Sequence, residues 1–355
     1  IEIPNTNEFK THLITYLPPL IDFKNDNLDI YVVPFDNPIR PKSGGYLLLV
    51  WKMLARILLL IRFAFKVIYL CRKKKFDILH VHSPMHFIVC LYFKLVSGCK
   101  IVLTIHGSEI ILFSKYNFLK FILNIYDKIF VVSHEQLNIL VKLIGDKVSF
   151  IPNAVDSIYL DTPRESFNYQ DDTVERKKLN LISVGGLRWQ KNYQMLIESI
   201  SLSKYRDQIE LIHIGEGPEQ AKLSKLAKLK NVEVDFKGTL NKVEIIKELD
   251  KSDLFVLTSV VEGAPKALIE AMARGLYCIT TDVGECSSIL GSYGHCLKDF
   301  NPETLAAQIN NFYDRPLSFN SDQIKILTKK YTWKRYIDLH LKFYNKLVFS
   351  NFSKN

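Results

Sequence analysis

Two glutamates, Glu262 and Glu270, stand eight residues apart and enclose the run Gly263-Ala264-Pro265-Lys266-Ala267. The run reads as a loop passing into a helix. A helix start offers backbone N–H groups that have no partner inside the helix, and such groups hold anions. A diphosphate is the expected anion, with one glutamate left to accept from sugar hydroxyls and the other from ribose hydroxyls. Glu270 falls within the apolar pattern Leu268-Ile269-Ala271-Met272, so it is expected to face an interior or a cleft. Upstream, Gly185-Gly186-Leu187-Arg188-Trp189-Gln190-Lys191 joins an apolar run to a helical pattern. Its glycines let a phosphate approach the backbone, and Arg188 and Lys191 add positive charge. Taken alone, this loop reads equally well as a plain strand-to-helix turn. Gly215-Glu216-Gly217-Pro218 is by itself a structural turn, with Pro218 suited to the first turn of a helix.

His80, His82 and His86 form a second cluster. On a strand His80 and His82 share a face, a geometry that a metal could use. No carboxylate or cysteine cluster converges nearby, so no metal is expected there. Asp171-Asp172 reads as a solvated linker pair. The six cysteines include no C-x-x-C pair and read as reduced, buried thiols.

The charge is concentrated. Residues 37–76 hold Arg40, Lys42, Lys52, Arg56, Arg62, Lys66, Arg72, Lys73, Lys74 and Lys75 and no acid, which accounts for the whole net charge of +10. A protein that coats nucleic acid spreads its cations over a face or several elements, so nucleic acid is not an expected partner. Within this stretch, Tyr46–Cys71 is apolar apart from four cations. A cation recurs too often for a transmembrane span. On a helix, Lys52, Arg56, Lys66 and Arg62 fall within an arc of about 120°. Two readings follow: a helix lying in an anionic membrane interface, or a core helix with a narrow wet face. Arg72-Lys73-Lys74-Lys75 directly after it favours the interface.

Short apolar runs alternate with helical patterns along most of the 355 residues, which predicts parallel α/β architecture. Strands are expected at Thr11–Tyr16, Leu28–Val33, Ile78–Val81, Lys100–Thr104, Lys128–Val132 and Val148–Ile151. A polar linker breaks the pattern. A second series follows, with strands Asn180–Val184, Glu210–Ile214, Val232–Phe236, Leu254–Leu257 and Tyr277–Thr280 and helices between them. The expected division is an N-terminal Rossmann-like domain over 1–153, a linker over 154–179, a second domain over 180–328, and a last helix within 329–355 that crosses back to the first domain. Ligands of such sheets bind beyond the carboxyl ends of the strands, where the loops described above lie. At 48% hydrophobic and 24% charged, the composition is that of a globular chain, neither disordered nor a disulfide scaffold.

The order V-G-G-L-R-W-Q-K-N, I-G-E-G-P and D-L-F-V-L-T-S-V-V-E-G-A-P-K-A-L-I-E-A-M-A-R-G-L resembles the donor-binding half of retaining GT-B glycosyltransferases of family 4. Phe76-Asp77-Ile78-Leu79-His80-Val81-His82, Thr104-Ile105-His106-Gly107-Ser108-Glu109 and Ile151-Pro152-Asn153-Ala154-Val155-Asp156 are similar to N-domain markers of that family. The resemblance implies the GT-B fold, with two Rossmann-like domains facing across a cleft. It implies that Glu262 lies by the donor sugar and Glu270 by the nucleotide ribose. Lys191 matches the lysine that neutralises the diphosphate, and Gly263, Ala264, Pro265, Lys266 and Ala267 match the phosphate-binding helix start. Gly185, Gly186, Arg188 and Gly215 belong to the donor loops, and the loop at Gly238–Leu240 holds the nucleobase. His106 matches the histidine beside the transferring sugar. Such enzymes need no bound metal or other cofactor.

The chain departs from the family pattern in three places. Gly186 stands where an arginine is usual, with Arg188 two residues on. Glu285 and Ser288 stand where a second glycine and a later glutamate are common. The chain also begins near what matches the second strand, so the first βα unit is expected to be missing.

The implied activity is transfer of a sugar, with retention, from a nucleoside-diphosphate sugar to a lipid-linked or oligosaccharide acceptor. The expected setting is bacterial surface polysaccharide, lipopolysaccharide or capsule synthesis on the cytoplasmic face of the plasma membrane. A degenerate, non-catalytic membrane partner and a GT-B nucleotide-sugar epimerase are the alternatives. The E-x7-E loop and the membrane segment both count against the epimerase.

Overall fold

The computed structural model describes residues 11–15, 28–32, 77–107, 120–161, 178–317 and 330–349, together with 58, 61–62, 64–65, 67–69 and 72. Its strands form three sheets, and all the pairings are parallel. Strands β1 (Thr11–Thr15) and β2 (Leu28–Val32) pair with each other. Strands β3 (Ile78–Val81), β4 (Lys100–Ile105), β5 (Lys128–Val131) and β6 (Val148–Phe150) make a four-stranded sheet in that order.

The second domain holds a six-stranded sheet in the order β12-β11-β10-β7-β8-β9. Its members are β7 (Leu179–Val184), β8 (Ile209–Ile214), β9 (Val234–Gly238), β10 (Leu254–Leu257), β11 (Tyr277–Thr281) and β12 (Gly294–Leu297). The order reverses direction between β7 and β10, the position at which a doubly wound sheet opens a crevice.

The sequence explains these elements locally. Every residue of β10 is buried, and β4 is buried from Ile101 to Ile105. Such continuous apolar runs are what a parallel sheet covered on both faces requires. Ser133 caps helix His134–Ile144 by accepting from the Gln136 amide, and Asn241 and Glu244 form a capping box on helix Lys242–Lys251. Three elements follow the last expected strand: helix Cys286–Leu290, edge strand β12 and helix Pro302–Asp314.

Two cores flank the second sheet, and one underlies the first. The C-terminal helix Trp333–Phe349 crosses back as expected. Its Tyr336, Leu339, Phe343, Tyr344 and Leu347 cover Val102, Phe130 and Ile151 of the first domain. Of the linker stretch, Ile158–Asp161 forms a helical turn, and Tyr159 is buried in the second domain's core.

Of the basic segment, only part lies within the described residues. Leu58, Ile61, Arg62, Ala64, Phe65, Val67, Ile68 and Tyr69 are helical. Ala64 and Val67 pack into the first domain's core, while Leu58, Arg62, Phe65, Tyr69 and Arg72 are exposed. At 100° per residue, the exposed five lie within about 40° either side of one line. The outward face is therefore mixed aromatic, aliphatic and cationic, where the sequence pointed to a cationic stripe with the apolar side turned away. The apolar side turned away is already used by the protein's own core. Lys52, Arg56, Lys66, Lys73, Lys74 and Lys75 lie outside the described residues. No helix among the described residues is long and apolar enough to cross a membrane.

Candidate active site

The loops after β7, β8, β9 and β10 meet at the carboxyl edge of the second sheet. Gly185 donates its N–H to Ile214, Leu187 to Glu216, and Gly215 to Gly238. Glu216 also accepts from the Thr239 N–H at 3.3 Å, so the turn after β8 carries the loop at Gly238. Gly215 has φ 133°, and a Cβ there would sit 2.1 Å from the Gly185 carbonyl oxygen. Only glycine fits so close to the first loop.

Thr258 and Ser259 tie β10 into the same edge. The Thr258 hydroxyl donates to the carbonyls of Lys191 and Asn192, each at 3.0 Å. The Ser259 hydroxyl donates to Glu262 Oε1 at 2.6 Å. The same oxygen accepts from Lys191 Nζ at 2.5 Å. Lys191 and Glu262, 71 residues apart in the chain, are thus an ion pair facing one cleft. Arg188 lies exposed just before the helical turn that ends at Lys191.

Helix Lys266–Ala273 follows Pro265, whose side chain cannot cap it, so the first amides point outward unpartnered by a cap. Gly263 is pressed against the first domain. A Cβ there would meet the His106 carbonyl oxygen at 2.2 Å and Val132 Cγ2 at 2.8 Å. Asn153 adds a second tie, donating to the Ala264 carbonyl at 2.7 Å. His106, at the end of β4, therefore stands directly opposite the start of this helix.

Electrostatics follow from this packing. Burial raises the Glu270 carboxyl to about 7, although Lys266 and Lys242 pull it down. Removal from water lowers the Lys266 ammonium, with Glu270 opposing the shift. His106 lies below the usual histidine range, first through desolvation and then through Lys266 and His340. The site thus gathers Glu262, Lys191, Lys266, His106 and Glu270, all expected from sequence. Residues 108–119, including Ser108 and Glu109, lie outside the described residues. Among the described residues, no three His, Cys, Asp or Glu side chains converge to hold a metal ion.

Three contributors were not expected: Ser259, Asn153 and Glu285. Glu285 accepts from the backbone N–H of His134 at 2.5 Å and lies 3.0 Å from its Nδ1. The only sequence signal for it is its place as a departure from the family pattern.

Two parallel α/β domains closed over a cleft, with amides, lysines and paired carboxylates on the second domain's strand ends, define the GT-B class. The chain belongs to the GT-B glycosyltransferases: residues 166–329 match the family Glycosyl transferases group 1, and residues 26–157 match Glycosyltransferase Family 4. It is 29% identical to an N-acetyl-alpha-D-glucosaminyl L-malate synthase of Bacillus anthracis, over 64% of this chain and 62% of that protein. It is 29% identical to a putative teichuronic acid biosynthesis glycosyltransferase of Bacillus subtilis, over 59% of this chain and 54% of that one. A mutant of S. aureus TarM, solved in complex with Fondaparinux, alpha-GlcNAc-glycerol and UDP, superposes with a TM-score of 0.66 at 19% identity, covering 78% of this chain and 58% of that chain. The matched stretches thus span little more than half of each of these proteins.

Proposed function

We propose that this chain transfers a sugar from a nucleoside-diphosphate sugar to a saccharide acceptor in bacterial surface glycan synthesis. The observation that carries the reading is the Lys191–Glu262 pair beside the uncapped helix start at Gly263–Ala267, with His106 opposite. The diphosphate leaving group is held by Lys191, Arg188 and the helix amides, which stabilise the charge that develops as the glycosidic bond breaks. Cations and amides do this work in place of a metal. Glu270 accepts from the ribose and Glu262 lies by the sugar. A UDP-type donor is part of this reading, supported by the UDP bound in the TarM structure; retention of configuration rests on the motif resemblance and a lipid-linked acceptor on the proposed membrane face.

The docking surface of the reading is the exposed helix face of Leu58, Arg62, Phe65, Tyr69 and Arg72. Its occupant is an anionic bilayer, because the surrounding residues 37–76 carry ten cations and no acid. Helix Phe87–Val96 shares the same core and also exposes Ile88, Leu91 and Leu95. Peripheral attachment at the cytoplasmic membrane face follows from this proposal.

The test is a screen of UDP-, GDP- and dTDP-sugars for nucleoside-diphosphate release, with Glu262→Ala as control and EDTA in parallel. Release that depends on Glu262 and survives EDTA supports the reading. No release from any donor by the folded parent, or equal release by the variant, overturns it.

A further inference from the structure

Strands β3 and β4 lie in parallel register, His80 beside Val102 and Val81 beside Leu103, so their ends emerge together at the cleft. Four imidazoles form a row there. His106 lies edge to edge with His82, ring centroids 5.2 Å apart and planes 16° apart. His82 stacks on His80 at 4.6 Å, and His80 on His340 of the C-terminal helix at 5.5 Å.

The far end of the row is anchored. His80 Nδ1 is bonded to the Tyr344 hydroxyl at 2.5 Å, and its Nε2 to Thr104 Oγ1 at 2.7 Å. His340 Nδ1–H donates to the Tyr336 carbonyl at 2.8 Å, which fixes its tautomer. At the cleft end, His82 Nδ1 lies 2.9 Å from His106 Nε2. A ring nitrogen bonded to another ring nitrogen needs one donor and one acceptor, so a single proton lies between the two rings.

The charged and titratable groups acting on this pair are Lys266 from the second domain, His80 of β3 and His340 of the last helix. Burial first, and these neighbours after it, hold both rings below the usual histidine range. His82 is lowered to about 4 by desolvation, then by His106 and Lys266. His80 is lowered well below its ordinary value, chiefly by burial.

We infer that His82 is a positioning residue: its ring fixes the orientation and tautomer of His106, and the row ties that orientation to the C-terminal helix. The inference rests on the proposed place of His106 beside the transferring sugar. It gives the returning helix a part in the site besides covering the first domain. Rotation of His106 about its side-chain bonds, open at an exposed strand end, is restrained by its hydrogen bond to the nearly coplanar His82 ring.

The experiment uses the full chain with 15N-labelled histidine at pH 7.5, the His106 ring being assigned by its loss in His106→Ala. The parent is expected to show His106 in one neutral tautomer. His82→Ala is expected to average the two tautomers, and His82→Asn, whose amide can reach the position of Nδ1, to restore one. Unchanged His106 shifts in a folded His82→Ala overturn the inference. With the donor that the parent turns over fastest, His82→Ala is expected to lower kcat about 10- to 100-fold with donor KM within about threefold, and His82→Asn to recover most of it. A parallel loss in kcat and KM that asparagine does not rescue assigns His82 a structural role and overturns it. If His106→Ala retains full turnover, the reading of His106 itself fails, whatever the spectra show.

Discussion

Lys191 is a cation of the proposed diphosphate position, yet in the resting site its ammonium is bonded to Glu262. A donor diphosphate must therefore share Lys191 with a carboxylate. Removing either partner then has opposite effects on nucleotide binding. Lys191→Ala is expected to weaken UDP binding by about 1.5–3 kcal/mol, the usual size for a hydrogen bond to a charged group, with exposed Arg188 compensating in part. Glu262→Ala is expected to bind UDP at least as tightly as the parent while losing transfer, because a competing negative charge is gone. Calorimetry with UDP on both variants checks this; Glu262→Ala binding tenfold more weakly than the parent contradicts it. Glu270 offers a test that needs no ligand. Its folded value of about 7 lies above the ordinary 4.5, so the folded chain binds the extra proton across that window. The stability this contributes is complete below pH 4.5 and is lost as pH rises through 7. Glu270→Gln is therefore expected to stabilise the chain at pH 8, by about 1–2 kcal/mol after allowing for partial exposure, and not at pH 4.5. Denaturant unfolding at the two pH values measures the difference.

Elements built from strong local patterns are legible in the sequence. β10 reads from Leu254-Phe255-Val256-Leu257, and helix Lys266–Ala273 from its apolar spacing after Pro265. β12 does not, because Gly294-His295-Cys296-Leu297 is a short edge strand with only Leu297 buried. Helix Pro302–Asp314 carries a readable start in Asn301 and Pro302, but its apolar residues are interrupted by Gln308, Asn310 and Asn311. The loops of the site are legible because each follows a strand and carries glycine or charge. What binds them to each other is not, since Glu216 to Thr239 and Ser259 to Glu262 are matters of loop path rather than pattern. The basic helix is a mixed case. Its periodicity yields a face, but which side the core takes depends on Val89, Cys90 and Phe93 of the neighbouring helix, which share a cluster with Ala64 and Val67. If the outward face docks on lipid, the apolar and cationic parts separate by salt. Replacing Leu58, Phe65 and Tyr69 with Ser is expected to lower liposome binding at both low and high salt. Replacing Arg62 and Arg72 with Gln is expected to lower it only at low salt, since each cation near an anionic surface is worth about 1 kcal/mol and is screened by ions. Cosedimentation with neutral and anionic vesicles reads both, and equal binding to the two vesicle types by the parent would return the helix to an ordinary core role.

At the scale of the whole molecule, the two domains are held together over the cleft by contacts between residues far apart in the chain. Asn153 reaches Ala264, the C-terminal helix returns to the first sheet, and Glu285 reaches His134 across 151 positions. The last contact is the most specific. The Glu285 side chain is only 6% exposed, and its own N–H donates to Gly263, so it sits beside the phosphate-binding loop. Its carboxylate accepts from the first amide of helix His134–Ile144, where the helix dipole favours a negative charge. The closed arrangement thus depends on an acid from one domain serving the helix start of the other. Opening the cleft would cost that charge its partners, and closing around a donor would regain them. Glu285→Ala is expected to leave each sheet folded but to shift the chain toward an open form. In small-angle scattering this appears as a larger radius of gyration for the variant than for the parent. A saturating nucleoside-diphosphate sugar, but not UDP alone, is expected to bring the two values together, because its sugar meets His106 on the first domain while its diphosphate is held on the second. Glu285→Gln, which keeps an acceptor for the His134 amide, is expected to lie between them. A variant with the parent's radius in the absence of ligand would show that the remaining contacts hold the cleft closed without Glu285.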